Sequence, residues 1–300
     1  MKIKKIYKQN KQAKQPTISL EIFPPKKDGG IETIYQTLTE LGDLKPDFIS
    51  VTYGAGGSGA VNNTLEIAAH IKEQHNIESL HHLTGIMAND QDMLKTLKAI
   101  QERGVENILA LRGDVPVGSE AKSSDTYQYA SKLIEEIHSF GKFCVGAACY
   151  PEGHIERRAA IENMEHLKQK EEAGADFFVS QLFFENDSFY RLLDDARSTR
   201  ICAPITAGIM PILSRSQVER MIFMCGVSLP SKLIKIIHKY EQNIDDLRKA
   251  GLEYAFEQID DLLKHGVDGV HVYTMNRPNV ARSALTRYKN LLTISSEVNF

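Results

Sequence analysis

Apolar residues along this chain recur with two periods. Short β-branched and aromatic runs are separated by longer stretches whose apolar positions return every three or four residues, the signatures of strand and amphipathic helix. The strand candidates are TISLEIF (17–23), DFISVTY (47–53), SLHHLTGI (79–86), NILALRG (107–113), FCVGAAC (143–149), FFVSQLFF (177–184), PITAGIM (204–210) and GVHVYTM (269–275). Helical stretches such as GIETIYQTLTELGDL, TLEIAAHIKEQH and RRAAIENMEHLKQKEEAGA lie between them. Eight strand–helix repeats in 300 residues predict an α/β fold, a closed (β/α)8 TIM barrel forming a single domain over residues 17–300. A doubly wound sheet would place G-x-G-x-x-G after its first strand; the cluster GAGGSG (54–59) follows the second strand instead. Residues 1–16 open with MKIKKIYKQNKQAK, which holds six lysines and no acid, and are expected to form a basic, solvated N-terminal tail.

Alternation also assigns faces. Residues two apart on a barrel strand share a face, one set packing on helices and the other pointing into the lumen. Leu20 and Ile22 then face outward, while Ser19, Glu21 and Phe23 face inward; Ser50 and Thr52 face inward on the second strand. His81 and His82 are adjacent and face opposite ways, so at most one serves the lumen. Glu21 is the sharpest anomaly. A carboxylate in a buried strand loses its water and must either find a partner or keep its proton. A bridge to Lys26 or Lys27 would require the chain to fold back past Pro24 and Pro25. The top of the predicted barrel gathers Glu21, Thr52, His82, Arg112, Asp114, Tyr150, His154, Gln181 and Arg277 among Phe23, Phe183 and Phe184. Polar groups converging in an apolar bowl suit a large, flat, partly polar ligand.

Composition narrows the classes. A chain that is 42% hydrophobic and 25% charged has ample material for a core. Its net charge of -3 and pI near 6.4 offer no basic field to nucleic acid or an anionic membrane. No apolar run approaches bilayer length, so a cytoplasmic enzyme acting on a small molecule is expected. The four cysteines read as free thiols in that compartment. No strand candidate contains a lysine, which removes a Schiff-base aldolase. Tryptophan is absent, which weighs against a glycosidase built on Glu21 and Asp114. The histidines form no metal-ligand spacing and no metal is assigned, although a metal-dependent hydrolase using Glu21, His82, Asp114, Glu152 and His154 stays open.

The motifs SLEIFPPK, FISVTYGAGG, HHLTGI, ILALRGDVPVG, AACYPEGH, HLKQKEEAGADFFVSQLFFEND, GIMPI and HVYTMNR occur in order between Ser19 and Arg277. As a set they resemble the methylenetetrahydrofolate reductase family, and the length matches the family's catalytic barrel alone. The resemblance implies FAD lying across the strand tops and a ping-pong reaction. In it, NADH or NADPH passes a hydride to flavin N5 and leaves. Then 5,10-methylenetetrahydrofolate occupies the same face and is reduced to 5-methyltetrahydrofolate, feeding methionine synthesis. By resemblance, Glu21 matches an acid that protonates the folate, a role that burial would favour by keeping the proton on the carboxyl. Asp114 matches an aspartate whose charge supports the cationic folate iminium and disfavours the anionic reduced flavin. The flavin contacts implied are Thr52, His82, Arg112, Gly113, Asp114, Tyr129, Ala130, Tyr150, His154, Asn163 and Lys170, with Arg112 and Lys170 as partners of the pyrophosphate. The folate contacts implied are Glu21, Asp114, Gln181 and Arg277. Two positions depart from the family pattern: Asn163 stands where many relatives carry aspartate, and Arg215 stands where some place an aromatic against the nicotinamide. A homo-oligomer is expected. A flavin barrel of the proline-dehydrogenase type is the alternative, ahead of the metal-dependent hydrolase.

Overall fold

The computed structural model describes residues 1–25, 30–53, 63–114, 126–154 and 160–297. Its strands are β1 (Thr17–Ile22), β2 (Phe48–Val51), β3 (Glu78–Thr84), β4 (Asn107–Leu111), β5 (Cys144–Cys149), β6 (Phe177–Ser180), β7 (Ile205–Ile209) and β8 (Gly269–Tyr273). Each falls on a predicted run, and only β3 begins outside its run, one residue earlier at Glu78. They pair in parallel, each with the next and β8 with β1, into a closed barrel. Around and between them run α1 (Ile3–Gln12), α2 (Ile31–Gly42), α3 (Thr64–His75), α4 (Asp90–Glu102), α5 (Ala130–Phe140), α6 (Ala160–Glu172), α7 (Asn186–Ser198), α8 (Arg215–Cys225), α9 (Ser231–Lys239), α10 (Ile244–Lys264) and α11 (Pro278–Glu297). The single-domain (β/α)8 reading is the observed architecture.

Parity divides the barrel as the alternation requires. Leu20, Ile22, Ile49, Val51, Val270 and Val272 face outward into the main core beneath the helices. The lower lumen is apolar, filled by Phe48, Leu80, Leu109, Phe177 and Val179. The upper lumen is polar: Ser19, His271 and Glu21 form one hydrogen-bonded chain and Ser50 with His82 forms another pair, whose His82 comes within 3.7 Å of Glu21. Register makes this possible: Ser19 stands beside His271 and Glu21 beside Tyr273 across β1 and β8, while Glu21 stands beside Ser50 across β1 and β2. Gly208 on β7 belongs to the same layer. A Cβ there would collide with the Ser180 carbonyl oxygen and the Tyr273 hydroxyl, so a missing side chain lets Tyr273 cross the lumen and donate to Ser180 O at 2.8 Å.

The expected N-terminal tail is instead a helix. α1 buries Ile3, Ile6 and Tyr7 against Phe48, Leu80, Leu109 and Phe177, closing the barrel end opposite the strand C-termini. Tyr7 Oη lies 2.5 Å from Thr206 Oγ1, Ile3 N donates to Asn107 Oδ1 at 2.8 Å, and Lys4 pairs with Asp176 at 2.9 Å. Six lysines masked an i, i+3, i+4 apolar stripe that only the open barrel base explains. At the other end, α8 and α9 form an extra pair after β7. They pack Val218 and Leu233 on Leu182, Phe184, Met210 and Ile212, so they lie on the rim above β6 and β7. No described helix is long and apolar enough to cross a membrane.

Candidate active site

Two clusters meet at the strand C-termini. The first surrounds Glu21, whose side chain is 16% exposed. Its Oε2 lies 3.4 Å from His271 Nε2 and 3.7 Å from His82 Nε2. Each histidine has its own serine: His271 Nδ1 is 2.7 Å from Ser19 Oγ, and His82 Nε2 is 2.5 Å from Ser50 Oγ. Burial pushes the His82 imidazole down to about 4, against the opposing pull of Glu21, so His82 is neutral at physiological pH. The half-buried carboxyl therefore has imidazole partners inside the barrel. The alternative partners, Lys26 and Lys27, lie outside the described residues.

The second cluster is a slot between the ends of β4 and β5 and the helices α5 and α6. Its volume is about 110 Å³, and Arg112, Tyr129, Ala130, Tyr150, His154, Asn163 and Lys170 all line it. Seven of the residues expected to hold a flavin are thus brought together. Lys170 Nζ donates to Ala148 O at 2.8 Å and sits 5.5 Å from the Tyr150 ring centroid. Burial lowers its ammonium to about 8. Tyr150 packs edge-on against His154 at 4.8 Å. Burial raises its hydroxyl to about 12, with Arg112 pulling the other way and Asp114 adding to the rise, so Tyr150 remains a donor and both charges are near it. Asn163 Oδ1 accepts from His154 N at 3.3 Å, tying α6 to the turn after β5.

The remaining expected residues lie outside this slot. Asp114 is exposed at the β4 exit, and Gly113 before it has φ of 81°, where a Cβ would press on Thr84; only glycine makes this turn without strain. Thr52 N donates to Ile22 O at 3.0 Å and its carbonyl accepts from Thr64 at 2.9 Å, which holds the β2 exit beside Glu21's strand. Gln181 Oε1 accepts from Leu182 N at 2.9 Å, which fixes the orientation of its amide. Arg277 is exposed, with no carboxylate paired to it among the described residues. Tyr273 joins the clusters, since Glu21 from one and Tyr150 from the other both act on its buried hydroxyl. The glycine cluster 54–59 lies outside the described residues. Among those described, no group of three His, Cys, Asp or Glu side chains is placed to hold a metal ion.

A family model for methylenetetrahydrofolate reductase matches residues 5–289. The chain belongs to that family. It is 33% identical over 303 residues to methylenetetrahydrofolate reductase (NADH) 1 of Arabidopsis thaliana, covering 97% of this chain and 50% of that protein. The chain therefore spans about half the length of that relative. It is 32% identical over 267 residues to 5,10-methylenetetrahydrofolate reductase of Escherichia coli, covering 89% of this chain and 88% of that one. Among solved structures, an uncharacterized Clostridium thermocellum protein that binds two copies of 5-methyl-5,6,7,8-tetrahydrofolic acid superposes with a TM-score of 0.67. That likeness covers 96% of this chain and 99% of the other at 15% identity, and shows a shared fold.

Placed in the methylenetetrahydrofolate reductase barrel, several site residues escaped the sequence reading. Ser131, Met164, His166, Leu167 and Gln169 also line the slot, and His166 stacks on Tyr129 with centroids 5.7 Å apart. The available signal was helical spacing: 163, 166, 167 and 170 fall on one face of α6. Alternation places Ser19, Ser50 and His271 on the lumen face, but their pairing, Ser19 with His271, His271 with Glu21 and Ser50 with His82, comes from cross-strand register. Arg215, the family departure at the start of α8, is held by Glu219 at 2.8 Å and Glu241 at 3.6 Å. Any phosphate approaching it competes with both carboxylates.

Proposed function

We propose that this chain reduces 5,10-methylenetetrahydrofolate to 5-methyltetrahydrofolate in a ping-pong reaction, with NADH or NADPH as hydride donor and FAD as carrier. The carrying observation is Glu21, an acid held among imidazoles in the lumen of a barrel whose β4–β5 end carries a slot with cationic and aromatic walls. FAD, when bound, supplies a two-electron carrier that takes a hydride from one substrate and gives it to the next. The slot's donor set fits it: Arg112 and Lys170 offer charge to a pyrophosphate, Tyr129, Tyr150 and His154 offer flat surfaces, and Asn163 offers an amide. Thr52, His82, Gly113 and Asp114 would hold its lumen side.

The folate half depends on proton supply and orientation. Glu21 donates a proton to the folate as the five-membered ring opens, and Asp114 stabilises the cation that results. Gln181 presents its NH2 to the pterin edge, and Arg277 takes the carboxylate end. The test is the visible spectrum of the purified holoprotein, recorded before and after anaerobic NADH and again after methylenetetrahydrofolate. Bleaching by NADH and recovery with the folate are expected. A flavin that NADH leaves oxidised and that an amino acid such as proline bleaches would move the reading to a flavin barrel of the proline-dehydrogenase type.

Lys170 sets a pH dependence. With its ammonium near 8, Lys170 is charged below that pH and neutral above it, so FAD affinity should fall as pH rises through about 8. Lys170→Met is expected to weaken FAD binding at pH 7 by about 10- to 100-fold, the worth of a charge-assisted hydrogen bond, and to remove the pH dependence. Because the folded-state value lies below the unfolded one, the charged side chain opposes folding below pH 8. The apo-variant should therefore be no less stable than the parent at pH 7. Flavin fluorescence titration and urea unfolding read the two effects separately; a parent whose FAD affinity is flat from pH 7 to 9 would refute the Lys170 role.

A further inference from the structure

The chain leaves β8 through a turn that its side chains disfavour. Met275 and Asn276 have φ of 55° and 54°, the left-handed region, where a Cβ crowds the backbone and asparagine is more tolerant than methionine. Such strain persists only where surrounding contacts hold it, and it concentrates at functional sites. Here the contacts are specific. Asn276 Oδ1 accepts from Phe23 N at 3.0 Å, and its Nδ2 donates to Phe23 O at 2.8 Å. One carboxamide thus satisfies both backbone groups of a residue just past the end of β1, as a strand neighbour would. Two residues earlier, Thr274 Oγ1 donates to Glu21 O at 2.6 Å and Thr274 N reaches the same oxygen at 3.3 Å. The turn itself is closed by Arg277 N donating to Thr274 O at 3.0 Å.

The consequence is a fixed distance between two ends of one substrate. Glu21 hangs on the strand that the turn grips, and Arg277 is the next residue after the grip. We propose that Asn276 is a positioning residue for the folate half of the reaction: by pinning Phe23 to the β8 turn, it holds the Glu21 carboxyl in register with Arg277. The proposal rests on the folate-reductase reading given above. Asn276 touches neither folate nor flavin in this role. Removing it frees the β1 exit to shift, and a displacement of about 1 Å at a reacting group costs on the order of 100-fold.

Two variants separate positioning from folding. Asn276→Gly keeps the left-handed backbone accessible and deletes the carboxamide. Asn276→Asp keeps the acceptor for Phe23 N and sets an anion against Phe23 O. Stopped-flow absorbance follows flavin reduction by NADH and reoxidation by methylenetetrahydrofolate, calorimetry follows binding of 5-methyltetrahydrofolate, and urea unfolding follows stability. Reduction is expected to stay within about twofold of the parent while reoxidation slows by roughly tenfold or more in both variants. The loss should lie in kcat more than in KM, with a flattened pH profile for reoxidation and a urea midpoint near the parent's for Asn276→Gly. Equal loss in both half-reactions, or loss that tracks the urea midpoint, would show a purely structural role and overturn the proposal. Unchanged reoxidation in both variants overturns it alone, whereas a parent that the folate fails to reoxidise overturns the functional reading and this proposal with it.

Discussion

Glu21→Gln is expected to leave flavin reduction by NADH intact and to slow reoxidation by methylenetetrahydrofolate by about 100- to 10,000-fold, the range of a lost general acid. The substitution is nearly isosteric. Glutamine fills the same space between His271 and His82 and still hydrogen-bonds to imidazole, so packing in the upper lumen should survive. What it lacks is a transferable proton. His82 cannot substitute as donor, because burial brings its imidazole to about 4 and leaves it neutral. Stopped-flow traces of the two half-reactions decide the matter: equal slowing of both would make Glu21 a structural residue, and normal reoxidation would remove it from the chemistry altogether.

Most of the frame that carries Glu21 was legible in the sequence, because strand parity and barrel closure are local rules applied eight times over. Glu21 stood out for a physical reason, a polar residue in a run that must be buried. Alternation puts His271 in the lumen but does not give its contact with Glu21, since that depends on which strand lies beside β1, and the two residues are 250 apart in sequence. Closure of the barrel supplies the link by setting β8 against β1. The slot was half legible: its cations and aromatics follow from motif positions, whereas His166 and Gln169 join it only through the face that α6 presents. The first 16 residues were misread because lysine content outweighed a short apolar stripe. A helix of ten residues has little stability alone. It forms here because a barrel base of Phe48, Leu80 and Phe177 needs a cover.

That cover makes the second large prediction. Ile6→Ala is expected to lower stability by about 2–5 kcal/mol, the cost of a buried aliphatic side chain replaced by a cavity. Tyr7→Phe should cost about 1–3 kcal/mol, because Thr206 would lose the partner 2.5 Å from its hydroxyl and remain buried. Both changes lie in the apolar lower lumen, whereas Glu21 and its histidines occupy the upper layer. KM for the folate and the rate of flavin reduction should therefore match the parent at temperatures where the variants stay folded. Urea unfolding with steady-state assays on the same samples tests both halves. A parent-like urea midpoint for Ile6→Ala would mean that α1 rests on the barrel without sealing it, and a shifted KM would mean that the base and the mouth are coupled through the strands.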